Sequence, residues 1–300
     1  MDGLAELFPG FATHYVPTDA GRLFVRTAGR GDPLLLVHGF PETGVMWHRI
    51  AAELAERFTV VVPDMRGYGW SAAPDSQGGE GYTKRTMGAD LVAVMDHFGH
   101  ARFAYAGHDR GARVGYRLAL DHPGRISRLA LLDIEPTFAV WDAIEAGRQD
   151  SPHWLFLAKP APEPETRIVA DAAGYYTELM RKWVKDGDLG RIDPRALAHY
   201  RAAWGDPSRI HASCEDYRAG AHQDRQADVE DLAGGKRITC PVHLLASRHY
   251  LARPGEGSPL STWQRSFAPE ATGTEIDSGH FMAEENPAET LAAMQRFLTA

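Results

Sequence analysis

The segment 107–111, with the sequence GHDRG, constrains the fold of this chain more than any other feature. It follows a short apolar run at 103–106 and precedes a helical pattern that begins at Ala112. A strand, a tight glycine-flanked turn and a helix are typical of a nucleophile elbow, in which serine usually occupies the position of Asp109. A carboxylate attacks saturated carbon and leaves an ester on the protein. Asp109 therefore favours cleavage of a carbon–halogen bond or an epoxide over esterase chemistry.

Short apolar runs alternate with helical patterns on both sides of this elbow. The run at 33–37 is apolar throughout, which is typical of a strand buried on both faces. Met87, Leu91 and Val94 recur at helical spacing in the segment 83–98. This alternation predicts a mostly parallel central sheet with helices on both faces. The predicted strands are 23–26, 33–37, 58–62, 103–106, 129–132, 242–245 and 272–276, and the predicted helices are 46–57, 83–98, 112–120 and 287–298.

The alternation stops after Pro136 and resumes at the apolar run 242–245. The residues between them contain no buried-strand pattern and are rich in Trp, Tyr, Arg and Ala, which predicts a helical insertion. We therefore expect an α/β core formed by residues 1–136 and 233–300, with a helical cap at 137–232.

Composition and charge argue against several classes of function for this chain. The 300 residues carry a formal net charge of −8 with both signs interspersed, which gives no support to nucleic-acid binding. Because no run of about 18 apolar residues and no signal-peptide pattern occurs, we expect no membrane span and a cytoplasmic location. Cys214 and Cys240 are then expected as reduced thiols, with a disulfide between them as the less favoured alternative. Since no metal-ligand or dinucleotide motif is present, neither a metal nor an organic cofactor is expected.

A histidine and an acid complete the set of residues that a catalytic elbow needs. In this architecture the chain order is nucleophile, acid, histidine, and His280 follows the last predicted strand. A surface-loop histidine is the alternative interpretation. Asp133 follows four apolar residues at a strand end, where catalytic groups of such sheets collect, although it could instead cap the next segment. Glu135 is the rival acid, and Asp277 is expected to point away from the elbow.

The turn after the predicted strand 33–37 has the sequence HGFPE at 38–42. A backbone amide in this turn and the amide after the nucleophile form an oxyanion hole in this architecture. We therefore expect the amides of Phe40 and Arg110 to hold the carboxylate of Asp109. The same amides would hold the oxyanion that forms when water attacks the ester. A glycine turn without function is the alternative.

Motifs along nearly the whole chain resemble the α/β-hydrolases of the epoxide hydrolase and haloacid branch, and within that branch the fluoroacetate dehalogenase family. Epoxide hydrolases typically have tryptophan after the nucleophile, where this chain has Arg110. They also have paired tyrosines in the cap as ring-opening acids, and His153 and Trp154 occupy the part of the cap where the first of them is expected. Glu135 and the loop 248–250 depart from the family pattern. The motifs are HGFPET at 38–43, GHDRGAR at 107–113, DIEPT at 133–137, HW at 153–154 followed by FLAKP at 156–160, SCEDYR at 213–218 and GHF at 279–281.

The resemblance implies roles for five further side chains. Arg110 and Arg113, at i and i+3 on the elbow helix, would bind a substrate carboxylate through paired hydrogen bonds. A solvated basic helix face is the alternative for this pair. His153, Trp154 and Tyr217 would form a halide pocket whose ring N–H and O–H donors solvate a departing fluoride. Core packing is the alternative for Trp154. The resemblance also implies a homodimer.

These expectations describe a hydrolytic dehalogenase that takes a small-molecule 2-haloacid such as fluoroacetate and releases halide and a 2-hydroxyacid. Asp109 would displace the halide, and His280, oriented by Asp133, would activate water against the resulting ester. An epoxide hydrolase with the same nucleophile and Tyr217 as the ring-opening acid is the alternative. A non-catalytic ligand receptor on this fold is disfavoured, because the nucleophile, acid and histidine are all present.

Overall fold

A single eight-stranded sheet forms the centre of the molecule in a computed structural model that describes residues 3–251 and 257–300. The strand order is β1-β2-β4-β3-β5-β6-β7-β8. The β1–β2 and β2–β4 pairs are antiparallel, and the other neighbouring strands pair in parallel, as predicted. The strands are β1 (Ala12–Thr18), β2 (Gly21–Ala28), β3 (Asp32–Val37), β4 (Phe58–Pro63), β5 (Phe103–His108), β6 (Ile126–Leu132), β7 (Val242–Ser247) and β8 (Thr272–Ile276).

The central strands are buried because their side chains are apolar on both faces of the sheet. Every residue of β5 is buried, and in β3 the four residues before the turn are buried. Leu34 of β3 lies opposite Val60 of β4 on one side and Ala104 of β5 on the other. Because these strands are parallel, the loops at their carboxyl ends meet at one edge of the sheet, where ligand sites of such sheets form.

Helices cover the two faces of this sheet. The amphipathic segment predicted at 83–98 forms a helix at 84–97, and the side chain of Thr83 accepts a hydrogen bond from the amide of Thr86 at its N-terminus. The helices are α1 (Ala51–Ala55), α2 (Lys84–His97), α3 (Asp109–Asp121), α4 (Thr137–Glu145), α5 (Pro152–Leu157), α6 (Glu163–Ala170), α7 (Ala172–Trp183), α8 (Pro194–Trp204), α9 (Pro207–Ala219), α10 (Arg225–Ala233), α11 (Pro259–Arg265), α12 (Met282–Glu285) and α13 (Pro287–Leu298).

The continuous helix predicted at 46–57 is wrong. The structure has a short 3-10 turn at Gly44–Trp47, and α1 begins only at Ala51. The carbonyl of Val45 accepts from the backbone amide of His48 and also contacts the His48 ring at 3.0 Å. This local arrangement replaces the i to i+4 bond that a continuous α-helix would make from Val45.

The segment between β6 and β7, which the structure describes throughout, contains helices α4 to α10 and turns but no strand. It contacts the sheet loops through buried polar groups. The indole N–H of Trp204 donates to the carbonyl of Pro41 at 2.7 Å, and the hydroxyl of Tyr68 donates to Asp216 at 2.7 Å. These contacts place the helical segment over the carboxyl ends of the strands.

Within residues 3–251 and 257–300, every helix is too short or too polar to cross a lipid bilayer.

Candidate active site

Asp109 lies at the sharp turn between β5 and α3. Its φ of 44° is in the left-handed region, which is strained for a residue with a side chain and is typical of a nucleophile elbow. Both flanking glycines are required by close backbone approach. A Cβ on Gly107 would lie 2.7 Å from the amide nitrogen of Ala112, and one on Gly111 would lie 2.3 Å from the carbonyl of His38. The turn therefore presents the Asp109 carboxylate at the carboxyl edge of the sheet.

The Asp109 carboxylate is buried, but nearby positive charges stabilise its ionised form. Burial alone would raise its pKa, but the charges of His280, Arg110 and Arg113 outweigh that effect and lower the pKa below its ordinary value. The amide of Phe40 donates to Asp109 Oδ1 at 3.1 Å, as expected for one half of an oxyanion hole. Asp109 is thus an ionised carboxylate held in place at neutral pH.

His280 and Asp133 lie together beside this carboxylate. The Nδ1 atom of His280 is 2.7 Å from Asp133 Oδ2, and its Nε2 atom is 3.8 Å from Asp109 Oδ2. Asp133 accepts two further hydrogen bonds from Ser247, one from the amide at 2.7 Å and one from the hydroxyl at 2.9 Å. These bonds fix the acid, and the acid orients the imidazole with Nε2 towards Asp109.

Neither Glu135, which also lines the cavity above the elbow, nor Asp277 is hydrogen-bonded to His280 among the described contacts. The hydroxyl of Thr262 donates to the Glu135 carboxylate at 2.9 Å. Asp277 pairs on the surface with Lys185 and His249, at 2.8 Å and 2.7 Å, and points away from the elbow as expected. Asp133 is therefore the carboxylate that the fold brings to His280.

A cavity of about 580 Å³ opens above the elbow. Its walls come from the sheet loops on one side and from helices α4, α5 and α7 on the other. Six of the nine side chains selected from the sequence line it: Asp109, Arg113, Asp133, His153, Trp154 and His280.

Arg113 is a buried cation in the wall of this cavity. Its Nη1 atom donates to the carbonyl of Glu135 and to the hydroxyl of Thr137, both at 3.1 Å, and its guanidinium lies 4.6 Å from the ring centre of Trp154. Among the described residues it has no ion pair with a carboxylate. Burial and then the nearby Arg110 lower the pKa of the Arg113 guanidinium. An anion in the cavity would compensate this charge.

Arg110 is buried and is not among the residues that line the cavity. Its Nε atom donates to Asp216 at 3.1 Å and its Nη2 atom donates to the same carboxylate at 2.5 Å, while Lys84 also contacts Asp216. The guanidinium stacks 4.3 Å from the ring centre of Tyr217. Its buried Nη1 atom has no hydrogen-bond partner among the described residues. The two arginines of the predicted carboxylate clamp therefore differ: Arg110 has an ion pair with Asp216, whereas Arg113 has no carboxylate at ion-pair distance among the described residues.

The three predicted halide-pocket residues form one aromatic cluster. The ring of Tyr217 lies 5.8 Å from Trp154, 6.0 Å from His153 and 5.1 Å from Phe40. Burial lowers the pKa of His153 to about 3, so its imidazole is neutral and carries one N–H. The cluster thus brings neutral hydrogen-bond donors near Asp109, which affects the pKa of both His153 and Tyr217, and two of its members, His153 and Trp154, line the cavity.

Residues 32–287 of this chain match the protein-family model for the alpha/beta hydrolase fold. This chain belongs to the α/β-hydrolase fold family. The solved structure of a hydrolase of this type from Nostoc sp PCC 7120, provisionally named, has a TM-score of 0.90 at 43% identity over 96% of this chain and 98% of that one.

Individual relatives of this α/β hydrolase have two substrate classes in their names. The chain is 37% identical over 298 residues to a fluoroacetate dehalogenase from Burkholderia sp, covering 98% of this chain and 95% of the relative. It is 28% identical over 284 residues to a soluble epoxide hydrolase from Corynebacterium sp. (strain C12), covering 93% and 90%. A Pseudomonas aeruginosa structure, provisionally named an epoxide hydrolase, has a TM-score of 0.89 at 40% identity over 100% of this chain and 98% of that one. These similarities support hydrolase activity.

Three residues of the site in this α/β hydrolase were not selected from its sequence. Trp183 lies 4.6 Å from the ring of His153, and Tyr250 lies 4.4 Å from the ring of His280, and both line the cavity. Asp216 holds Arg110. Asp216 lies within the SCEDYR motif, so a charge-balance argument for the buried arginine could have found it. Trp183 and Tyr250 have no comparable signal in one sequence.

Proposed function

We propose that this hydrolase cleaves the carbon–halogen bond of 2-haloacids such as fluoroacetate. The observation that carries this proposal is the buried guanidinium of Arg113, which lines the cavity beside ionised Asp109 and has no carboxylate partner among the described residues. A carboxylate on the substrate would supply the missing charge and place the adjacent α-carbon near the nucleophile. We assign Arg110 to the same clamp through its unpaired Nη1 atom.

In the first step Asp109 attacks the α-carbon in line with the carbon–halogen bond. The bond electrons leave with the halide, and the product is an ester between Asp109 and the acid. The donors of His153, Trp154 and Tyr217 would stabilise the leaving halide where its charge develops. Fluoride gains most from such donors because its charge is concentrated in a small volume.

In the second step His280 removes a proton from water as the water attacks the ester carbonyl. The 3.8 Å between His280 Nε2 and Asp109 Oδ2 supports this role, and Asp133 would stabilise the imidazolium that forms. The amides of Phe40 and Arg110 would hold the oxyanion. Collapse of this intermediate returns Asp109 and releases a 2-hydroxyacid, with no metal or organic cofactor required.

We further propose that residues 137–232 act as a cap over a core of residues 1–136 and 233–300. The cavity lies between these two parts, since its lining includes Asp109 and His280 from the core and Trp154 and Trp183 from the helical segment. A cytoplasmic homodimer is the expectation that accompanies the family resemblance.

Epoxide hydrolysis is the second candidate. Tyr217 favours it, because its ring lies among the aromatic side chains beside the cavity and burial keeps its hydroxyl protonated by raising the pKa well above its ordinary value. Such a hydroxyl could donate a proton to the opening ring. The uncompensated Arg113 has no role with a neutral epoxide, and this favours the haloacid.

Purified protein incubated separately with fluoroacetate, chloroacetate and styrene oxide tests the proposal. We expect fluoride and chloride release from the two acids and little diol from styrene oxide. Styrene oxide turnover with no halide release would replace the proposal by epoxide hydrolysis. No turnover of any of the three, with the protein folded, would favour a ligand receptor.

A further inference from the structure

Two buried glutamates lie near the elbow and take no part in the proposed reaction. Glu42 follows the oxyanion turn and Glu284 lies on α12, and both are fully buried. The two carboxyl groups are close enough for each to affect the pKa of the other, and a hydrogen bond between them requires a proton on one of them. On the far side, the hydroxyl of Tyr200 on α8 donates to Glu284 Oε1 at 3.0 Å. Adjacent carboxylates that are both ionised and buried would repel strongly, so this pair must hold at least one proton.

His108 connects this pair to the candidate catalytic histidine. It precedes Asp109 in the elbow, and its Nε2 atom is 2.8 Å from the backbone carbonyl of His280. A carbonyl only accepts, so Nε2 of His108 carries the hydrogen. Its Nδ1 atom lies 3.2 Å from Glu42 Oε2. Burial lowers the pKa of His108, which leaves Nδ1 as an acceptor facing a carboxyl oxygen.

Whether the buried polar atoms of Glu42, Glu284 and His108 have hydrogen-bond partners depends on how many protons the two carboxyl groups carry. With both carboxyl groups ionised, His108 Nδ1, the two Glu42 oxygens and Glu284 Oε2 have no hydrogen-bond partner among the described residues. A proton on Glu42 Oε2 pairs that oxygen with His108 Nδ1. A second proton, on Glu284, would allow its remaining oxygen to donate to the carboxyl group of Glu42. Two protons would thus satisfy four buried atoms, each of which would otherwise destabilise the fold.

The surrounding groups agree with this arrangement. The pKa of Glu42 is raised to about 8, chiefly by burial and also by the charges of Asp109 and Glu285, whereas Glu284 and the charge of His280 act in the opposite direction. Burial and Glu42 raise the pKa of Glu284 well above its ordinary value. The other groups near the pair are His48, whose Nδ1 atom is 3.8 Å from Glu284 Oε1, and Arg49, Asp193 and Glu285 around it.

We propose that Glu42 and Glu284 are both protonated at neutral pH and form, with Tyr200 and His108, a continuous hydrogen-bonded relay that ends on the backbone of His280. Each group donates to the next: Tyr200 to Glu284, Glu284 to Glu42, Glu42 to His108, and His108 to the His280 carbonyl. Asp133 fixes the ring of His280, and the relay fixes its backbone. Glu42 and His108 are therefore positioning residues for ester hydrolysis, and this kinetic part rests on the proposed function.

The protonation of the pair is tested without any substrate. Infrared difference spectra between the wild-type protein and E42Q, and between the wild type and E284Q, should each show loss of one protonated-carboxyl C=O band that shifts in deuterated water. Loss of ionised-carboxylate bands in either difference would overturn the relay. This result does not depend on whether the protein cleaves haloacids, so it separates the relay from the proposed function.

The positioning role is tested by comparing E42Q with E42M. Glutamine keeps a neutral donor towards His108 and an acceptor towards Glu284, whereas methionine has a similar length and neither group. We expect E42M to slow steady-state halide release by at least about tenfold. Its first-turnover halide burst should be unchanged, because the first step does not use His280. The covalent adduct on Asp109 should accumulate, and E42Q should remain within about threefold of the wild type.

Several outcomes would overturn this role. The first is an E42M variant that releases halide at the wild-type rate. The second is an equal fall of the first-turnover burst and the steady-state rate in E42M. The third is a loss of more than about tenfold in the steady-state rate of E42Q. The last would mean that Glu42 acts as a carboxylate paired with a charged His108. If E42M does not fold, E42Q decides between these two forms. If the wild type releases no halide, the infrared measurement decides the relay alone.

Discussion

At the scale of single residues, charge compensation distinguishes the two arginines that flank the nucleophile. Arg110 is bonded to the buried carboxylate of Asp216, which also contacts Lys84, so its charge is balanced within the protein. In the part of the chain that the structure describes, Arg113 bonds only to neutral oxygens, at Glu135 and Thr137. A buried cation without a counter-ion is destabilising unless a ligand supplies one. Selectivity for acids should therefore depend mainly on Arg113.

The variant Arg113→Met should lower kcat/KM for chloroacetate and fluoroacetate by more than about tenfold, since a buried charge-assisted hydrogen bond contributes about 1.5–3 kcal/mol. Arg85→Met is the matched control, because it removes the same charge from a side chain that is 60% exposed. Haloacetamide, which lacks the charge, should be a poor substrate of the wild type. Equal turnover of haloacetamide and haloacetate would exclude Arg113 as the carboxylate ligand.

A second prediction at this scale concerns the side chains that would donate hydrogen bonds to the departing halide. Tyr217→Phe and Trp154→Phe remove a donor while keeping an aromatic ring. Each should cost defluorination about 2–4 kcal/mol, by analogy with the loss of an oxyanion-hole donor, and should cost dechlorination less because chloride leaves more readily. Rates for both substrates are measured in each variant. Equal losses would indicate that these residues shape the pocket or support folding instead.

At the scale of elements, the elbow is the most constrained part of the fold. It combines β5, a left-handed Asp109 and α3 within a few residues, and the backbone of the oxyanion turn passes directly over Gly111. Because β3 and β5 are parallel neighbours, this contact fixes the Phe40 amide relative to the Asp109 carboxylate. The geometry of the nucleophile therefore depends on close packing of two backbone segments.

The variant Gly111→Ala should destabilise the protein by about 1–3 kcal/mol and displace the Phe40 amide from Asp109, because the added methyl group would lie 2.3 Å from the carbonyl of His38. Gly88→Ala on α2 is the control. Its methyl group would have ordinary contacts from 3.6 Å, and alanine favours the helix. Denaturant unfolding and halide release measure the two effects. A Gly111→Ala protein as stable and active as the control would disprove the packing argument.

The sequence predicts elements best where pattern and burial coincide. The central strands and α13 are confirmed, because continuous apolar runs in the strands and apolar residues at helical spacing in α13 reflect their burial. The edge strand β1 was not predicted, since most of its residues are exposed or half-buried and leave no apolar alternation. The helix expected at 46–57 is interrupted at His48 by local hydrogen bonds that apolar spacing does not encode. Helix propensity and apolar periodicity indicate which residues are buried. They do not indicate where a side chain hydrogen-bonds to the nearby backbone and so competes with helix formation.

At the scale of the whole molecule, residues distant in the chain form the site. Asp109, Asp133 and His280 come from three loops at one edge of the sheet, and their meeting could be predicted because chain order and strand ends define that edge. The aromatic wall could not be predicted in full. Trp183 and Tyr250 reach the cavity through the tertiary placement of α7 and of the loop after β7. A single sequence contains no signal for that placement.

Trapping the covalent intermediate tests the central claim most directly. In His280→Asn, the base for ester hydrolysis is lost while Asp109 and the arginines remain. After exposure to chloroacetate or fluoroacetate, mass spectrometry of the digested protein should find one added carboxymethyl group on the peptide that contains Asp109, with about one halide released per chain. Halide release without an adduct, or an adduct on another peptide, would contradict the account.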